Sequence, residues 1–149
     1  DYMFRTERSK FLMEQGIPLN TDSTLKGQTV FLAERCAELI QTDIITDRTV
    51  IDVMAFTLNA KSIPHQDKEA FEAYASEFVR DYDFIFYISP YGIEIEDNGV
   101  RETDEHYRDL IDFTITTLIK RHGHKAGKIE KISGSTEERI QQILNITGL

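Results

Sequence analysis

An acid beside an arginine, Asp47-Arg48, stands directly after the short apolar run Ile44-Ile45-Thr46. A carboxylate can hold Mg²⁺ directly or through water, and a guanidinium can fork onto phosphate oxygens. The pair therefore suits a metal-bound polyphosphate. It also suits a plainer role, because aspartate is a common helix N-cap and polar strand ends are ordinary. A second group is Arg101, inside Asp97-Asn98-Gly99-Val100-Arg101, and Arg108 seven residues on. Arginines on a loop can close over a transferred phosphoryl group and neutralise its charge. The competing reading is a solvated loop that turns at Asn98-Gly99. Arg5 and Arg8, three apart and so on one face if helical, could bind an anionic acceptor, with Glu7 as an acid or base, or could form an exposed charged face. Gly134-Ser135-Thr136 could lie against an adenine ring or serve as a turn and cap. His65, His106, His122 and His124 show no zinc-like spacing. No metal site built from protein ligands alone is expected.

These residues need elements to hold them. The apolar pattern predicts a helix from Asp1 to Gln15, with Phe4, Phe11 and Leu12 near one side, ended by Gly16 and the loop Ile17–Asn20. A second helix is predicted over Ser23–Ile40, capped by Asp22 or Ser23, with an apolar stripe through Val30, Leu32, Ala33, Cys36, Ala37, Leu39 and Ile40. Ile44–Thr46 reads as a buried parallel strand, so Asp47-Arg48 falls at its carboxyl end, where open α/β sheets bind ligands. Val50–Ala60 and Gln66–Asp81 read as helices, the second with Phe71, Tyr74, Phe78 and Val79 inward. Asp83–Ile88 is the clearest strand. A lid loop spans roughly 91–105, then a helix runs over Asp104–His122 with Leu110, Ile111, Ile115, Leu118 and Ile119 on one face. A strand at Lys128–Ser133 and a helix at Thr136–Ile146 follow, the helix with Glu137 and Glu138 at its start, where they favour the dipole. Strands that alternate with helices imply βαβ crossovers and a parallel sheet.

The 149 residues are long enough for one domain with a real core. A net charge of −9 argues against a broad basic face for nucleic acid, but a phosphate site needs only a local cluster of arginines and backbone N–H groups. No apolar run approaches the roughly 20 residues of a membrane span. One cysteine, Cys36, allows no disulfide framework, so a reducing, cytoplasmic setting is expected. Because Asp1 stands in what reads as helix interior, the natural beginning is expected to lie upstream.

The order of motifs resembles the P-loop nucleoside- and nucleotide-kinase-like ATPases, in particular the AAA-type domain typified by bacterial ribosylnicotinamide kinases. The matching stretches are Ile45-Thr46-Asp47-Arg48-Thr49-Val50-Ile51-Asp52-Val53, Tyr82-Asp83-Phe84-Ile85-Phe86-Tyr87, Asp97 to Arg101 with Arg108 after it, and Gly134 to Arg139. The resemblance implies a three-layer αβα fold with a parallel sheet. It implies ATP and Mg²⁺ as cofactors, with Asp47 helping to hold the metal. Arg48 would touch the acceptor or its phosphate, and Arg101 and Arg108 would act as lid arginines. Gly134 and Ser135 would lie near the adenine, and Arg5, with Arg8, on the acceptor side. The family's glycine-rich phosphate loop, G-x-x-x-x-G-K-[ST], is found nowhere in these residues. In that family the loop-bearing strand sits mid-sheet, between the strands that Ile44 and Phe84 begin. The resemblance therefore implies a gap one strand wide, about 4.8 Å of ladder spacing on each side. An upstream segment or a partner strand would fill it, or the strands would collapse around it.

The leading expectation is ATP- and Mg²⁺-dependent phosphoryl transfer to a nucleoside, nucleotide or similar small acceptor. The alternative is a nucleotide-sensing or catalytically inactive P-loop-like module that acts through a protein partner. A plain α/β scaffold with no nucleotide site is the third.

Overall fold

Helix α3 (Val50–Leu58) sits at the middle of the chain's core, in a computed structural model that describes residues 2–6, 8–91 and 104–149. Thr49 caps it. The Thr49 Oγ1 accepts from Ile51 N at 3.0 Å, while Asp52 Oδ2 accepts from Thr49 N at 2.8 Å. This reciprocal box satisfies two donors that a helix start would leave unpaired. Val50, Met54, Ala55 and Thr57 are fully buried. Thr57 returns its hydroxyl to Val53 O at 2.8 Å, so a polar side chain is tolerated there. Helices α2 (Leu25–Leu39), α4 (His65–Ala75) and α5 (Glu105–His122) pack around α3.

Strand β2 (Ile44–Thr46) pairs in parallel with β1 (Met3–Arg5), in the register Met3↔Ile44, Phe4↔Ile45, Arg5↔Thr46. Strand β3 (Phe84–Ile88) pairs in parallel with β4 (Lys128–Ile132), with Phe84 opposite Lys128 and Ile88 opposite Ile132. Gly127 opens the second pairing, since a Cβ there would overlap the Asp83 carbonyl. Helices α1 (Ser9–Glu14) and α6 (Thr136–Thr147) complete the six α-helices among the described residues. The chain is thus mixed α/β, with every strand pair parallel as the alternating pattern implies. No helix among the described residues is long and apolar enough to cross a membrane.

The architecture departs from the sequence pattern in several places. Residues 3–5 are a strand, not part of a helix from Asp1, because the exposed edge of β2 takes them up: Met3 N donates to Asp43 O at 2.7 Å and Asp47 N to Arg5 O at 3.0 Å. Pairing overrides local propensity there. Arg5 and Arg8 consequently do not share a helix face. Phe4 and Phe11 are exposed, and only Leu12 of that group is buried. The cap of α2 is Thr24, whose Oγ1 accepts from Gly27 N at 3.1 Å, rather than Asp22 or Ser23. The stretch 66–81 divides into α4 and a 3₁₀ turn over Ser76–Asp81, and that break leaves Tyr74 64% exposed while Phe71 and Val79 are buried. On α5, Ile111 and Leu118 are buried but Leu110 is exposed.

The sheet divides where the resemblance implies a gap, between the strands that Ile44 and Phe84 begin. The described strands form two separate pairs, not one sheet, so β2 and β3 each carry one unpaired edge. Between them lies a cavity of about 1160 Å³, lined by residues of both strands.

Candidate functional site

Two walls border this open cavity. One is built by β2, α2 and α3, and the other by β3 and α5.

On the first wall the chain turns sharply after β2. Arg48 has φ +77°, a left-handed conformation that non-glycine residues rarely adopt. Two contacts impose it. Thr46 Oγ1 donates to Arg48 O at 3.0 Å, and Arg35 Nη1 donates to Asp47 O at 2.7 Å. Arg35 is 4% exposed and forms an ion pair with Glu38 at 3.0 Å. Burial pushes the Glu38 carboxyl up and Arg35 pulls it down, and the balance lies above its ordinary value. The strain is thus held by a buried charged group, as expected where surroundings over-determine a turn.

The turn leaves Asp47 exposed, and no hydrogen bond or ion pair engages its carboxylate among the described residues. Because Thr49 caps α3, Asp47 has no capping duty. Arg48 lies along α3, 3.9 Å from Asp52 Oδ1 and with its guanidinium carbon 5.5 Å from the Phe56 ring centroid. Both Asp47 and Arg48 line the cavity.

On the second wall, Arg108 lines the same cavity. It stands on the first turn of α5, which Asp104 caps by accepting from His106 N at 2.9 Å. Its guanidinium lies 5.9 Å from the Tyr91 ring centroid. Next to it the Tyr87 hydroxyl hydrogen-bonds Asp112. Burial, and then that carboxylate, push the Tyr87 hydroxyl up to about 12, so it stays a neutral donor. Between the walls, Tyr82 is buried with its hydroxyl accepting from Val50 N at 3.2 Å, and burial raises its pKa further still.

The structure brings Asp47, Arg48 and Arg108 to one cavity and leaves four other candidates outside its lining. Gly134 (φ +97°) and Ser135 form the start of α6, where Ser135 Oγ accepts from Glu138 N at 3.2 Å; they act as turn and cap. Arg5 donates from Nη2 to Gln41 Oε1 at 3.2 Å. Arg8 pairs with Glu34 at 3.5 Å and sits over the Phe11 ring. Arg101 and Glu7 lie outside the described residues, as does most of the lid loop.

Sequence reasoning missed Gln28, Arg35 and Glu38. It placed an apolar stripe on α2, but all three are buried while Val30 and Ile40 of that stripe are exposed. The available signal was their spacing: Gln28, Phe31 and Arg35 recur at i, i+3 and i+7 and face the cavity together.

As a metal ligand Asp47 stands by itself, for no three His, Cys, Asp or Glu side chains cluster among the described residues. Mg²⁺ suits such a site, since it takes one or two carboxylates and completes its shell with water and substrate phosphates. For a triphosphate, the sequence holds no G-x-x-x-x-G-K-[ST] run of the kind whose backbone cradles phosphates. No family profile, curated protein or solved structure matches the chain.

Proposed function

We propose that this chain is the acceptor- and metal-binding part of an ATP- and Mg²⁺-dependent kinase acting on a nucleoside, nucleotide or similar small acceptor. The observation that carries the reading is the convergence of Asp47, Arg48 and Arg108 on one cavity between two strands with open edges. A strand from elsewhere in the polypeptide, or from a partner, would pair with β2 and β3 and bring the phosphate loop. The completed sheet, with helices on both faces, would be the three-layer αβα arrangement.

Each residue has a defined task in this reading. Asp47 presents an unengaged carboxylate beside the strand end, suited to a metal ion directly or through water. Arg48 can leave its weak 3.9 Å pairing with Asp52 to fork onto an anionic acceptor. Arg108 supplies positive charge from the opposite wall, where it would offset charge on a transferred phosphoryl group. Arg35 holds the backbone of the turn and does not reach the reacting groups.

The test is ADP formation by the full-length protein with ATP, Mg²⁺ and a panel of nucleosides and nucleotides. Asp47→Asn and Arg108→Ala are each expected to lower kcat about 100-fold or more, with folding unchanged by circular dichroism. A panel with no turnover, or turnover indifferent to both substitutions, overturns the reading. ATP binding without turnover supports the nucleotide-sensing module in its place.

A further inference from the structure

We propose that the α2–α3 side of the cavity recognises the amide edge of a flat heterocycle, with Gln28 reading that edge and Phe31 and Phe56 holding the ring. The inference names the acceptor class for the site proposed above and rests on that reading for the direction in which the ligand lies.

The carrying observation is an unpaired amide. Gln28 is 3% exposed, lines the cavity, and makes no side-chain hydrogen bond. Its amide is not among the side-chain groups sealed completely from solvent, so its polar end keeps some exposure. A buried amide is rarely left unbonded, because it forfeits its water contacts and gains nothing. A second group behaves likewise: the Ser23 hydroxyl is fully buried, lines the same cavity and has no partner. A sealed hydroxyl with no partner and a largely buried amide with no protein partner, both in one cavity wall, are groups that a bound ligand can satisfy.

The chemistry of that ligand follows from the groups. A carboxamide donates and accepts side by side, so its natural complement is another group that accepts and donates in one plane. Uracil offers this at N3–H and O4, and hypoxanthine at N1–H and O6. An anion is a poor fit, because Arg35, the buried cation of this wall, already pairs with Glu38. The ring's place is set by Phe31, one turn along α2 from Gln28, and Phe56 on α3, both half-buried and both lining the cavity. Aromatic faces stack on any base.

Length agrees. From Gln28 to Arg35 is seven residues of helix, about 10 Å at 1.5 Å per residue. Arg35 in turn holds the Asp47 carbonyl at 2.7 Å, and Arg48 lies against Phe56. A base bound at Gln28 therefore directs its sugar toward Asp47-Arg48.

The experiment is calorimetric titration of the full-length protein, without ATP, with uridine and inosine and with 3-methyluridine and 1-methylinosine. Methylation removes the N–H of the edge and leaves the ring. At least one parent nucleoside is expected to bind at least about tenfold more tightly than its methylated form. Gln28→Leu is expected to erase that difference. Equal binding of parent and methylated forms, no binding of any of the four, or discrimination that survives Gln28→Leu overturns the proposal. If Gln28→Leu does not fold, the wild-type comparison alone decides it. Phosphoryl transfer is not part of this readout: nucleoside discrimination without turnover defeats only the kinase reading, and turnover without discrimination defeats only this one.

Discussion

The two walls of the cavity are built on different principles. The β2 wall is polar and constrained: a buried ion pair from α2 grips a left-handed turn, and an unpaired amide sits two turns away. The β3 wall carries a run of aliphatic side chains, Ile85, Ile111, Ile115 and Ile119, alongside aromatic residues and the polar groups of Asp83, Tyr107, Arg108 and the Tyr87–Asp112 pair. A wall made for packing alone would resemble the second. Retaining charge and strain in the first opposes stability, and such features gather where a protein binds or reacts. Under the proposed function, acceptor recognition would fall to the β2 wall, and shape and one cation to the β3 wall.

The largest test of this contrast is Arg35→Leu. It leaves Glu38 buried without its partner and frees the Asp47 turn, so the expected loss is about 3–5 kcal/mol in urea denaturation. Replacing both partners, Arg35→Met with Glu38→Met, should recover most of that stability, yet acceptor affinity should stay low because nothing then holds the Asp47 carbonyl. Recovery of both together would show that the pair only packs α2 against the core. On the opposite wall, Tyr87→Phe removes one hydrogen bond to Asp112 and should cost about 1 kcal/mol in the same measurement. A loss as large as that of Arg35→Leu would end the claim that the walls differ.

The smallest effect belongs to neither wall. Glu72 on α4 accepts from Arg121 Nη1 at 2.7 Å and meets His122 Nε2 at 2.7 Å, tying α4 to α5 behind the cavity. Burial works to raise its carboxyl, but the hydrogen bonds from Arg121 and His122 outweigh it and hold the group below 4.5. A carboxyl with a lowered folded value stabilises above its unfolded value and loses that stabilisation as pH falls through the folded one. Wild-type stability should therefore decline as pH drops below about 4.5, and Glu72→Gln should flatten that decline. Chemical denaturation across that pH range measures it, and an unchanged slope would locate the acid sensitivity elsewhere, such as the cavity walls.

Much of the fold was legible because local rules and packing agreed. The runs at Ile44–Thr46 and Phe84–Ile88 are strands, and the apolar period of residues 50–60 and 104–122 falls on helices that bury Met54 and Leu118. Asp47-Arg48 could be placed at a strand end for the same reason. Residues 3–5 were not legible as a strand, since a three-residue edge strand exists only through its partner. Nor was the buried face of α2, because periodicity registers apolar side chains and this face is polar.

By itself the sequence determined which segments are helices and strands over most of the chain, and that their pairing would be parallel, since these follow from side-chain period and connection length. Tertiary structure alone decided which side chains line the cavity between the two strand pairs. It also decided that Gln28 and Arg35 turn inward, and that Arg108, Asp47 and Arg48 line one cavity while Gly134 and Ser135 do not. Those outcomes depend on which surfaces distant segments present to one another, and no local pattern encodes that.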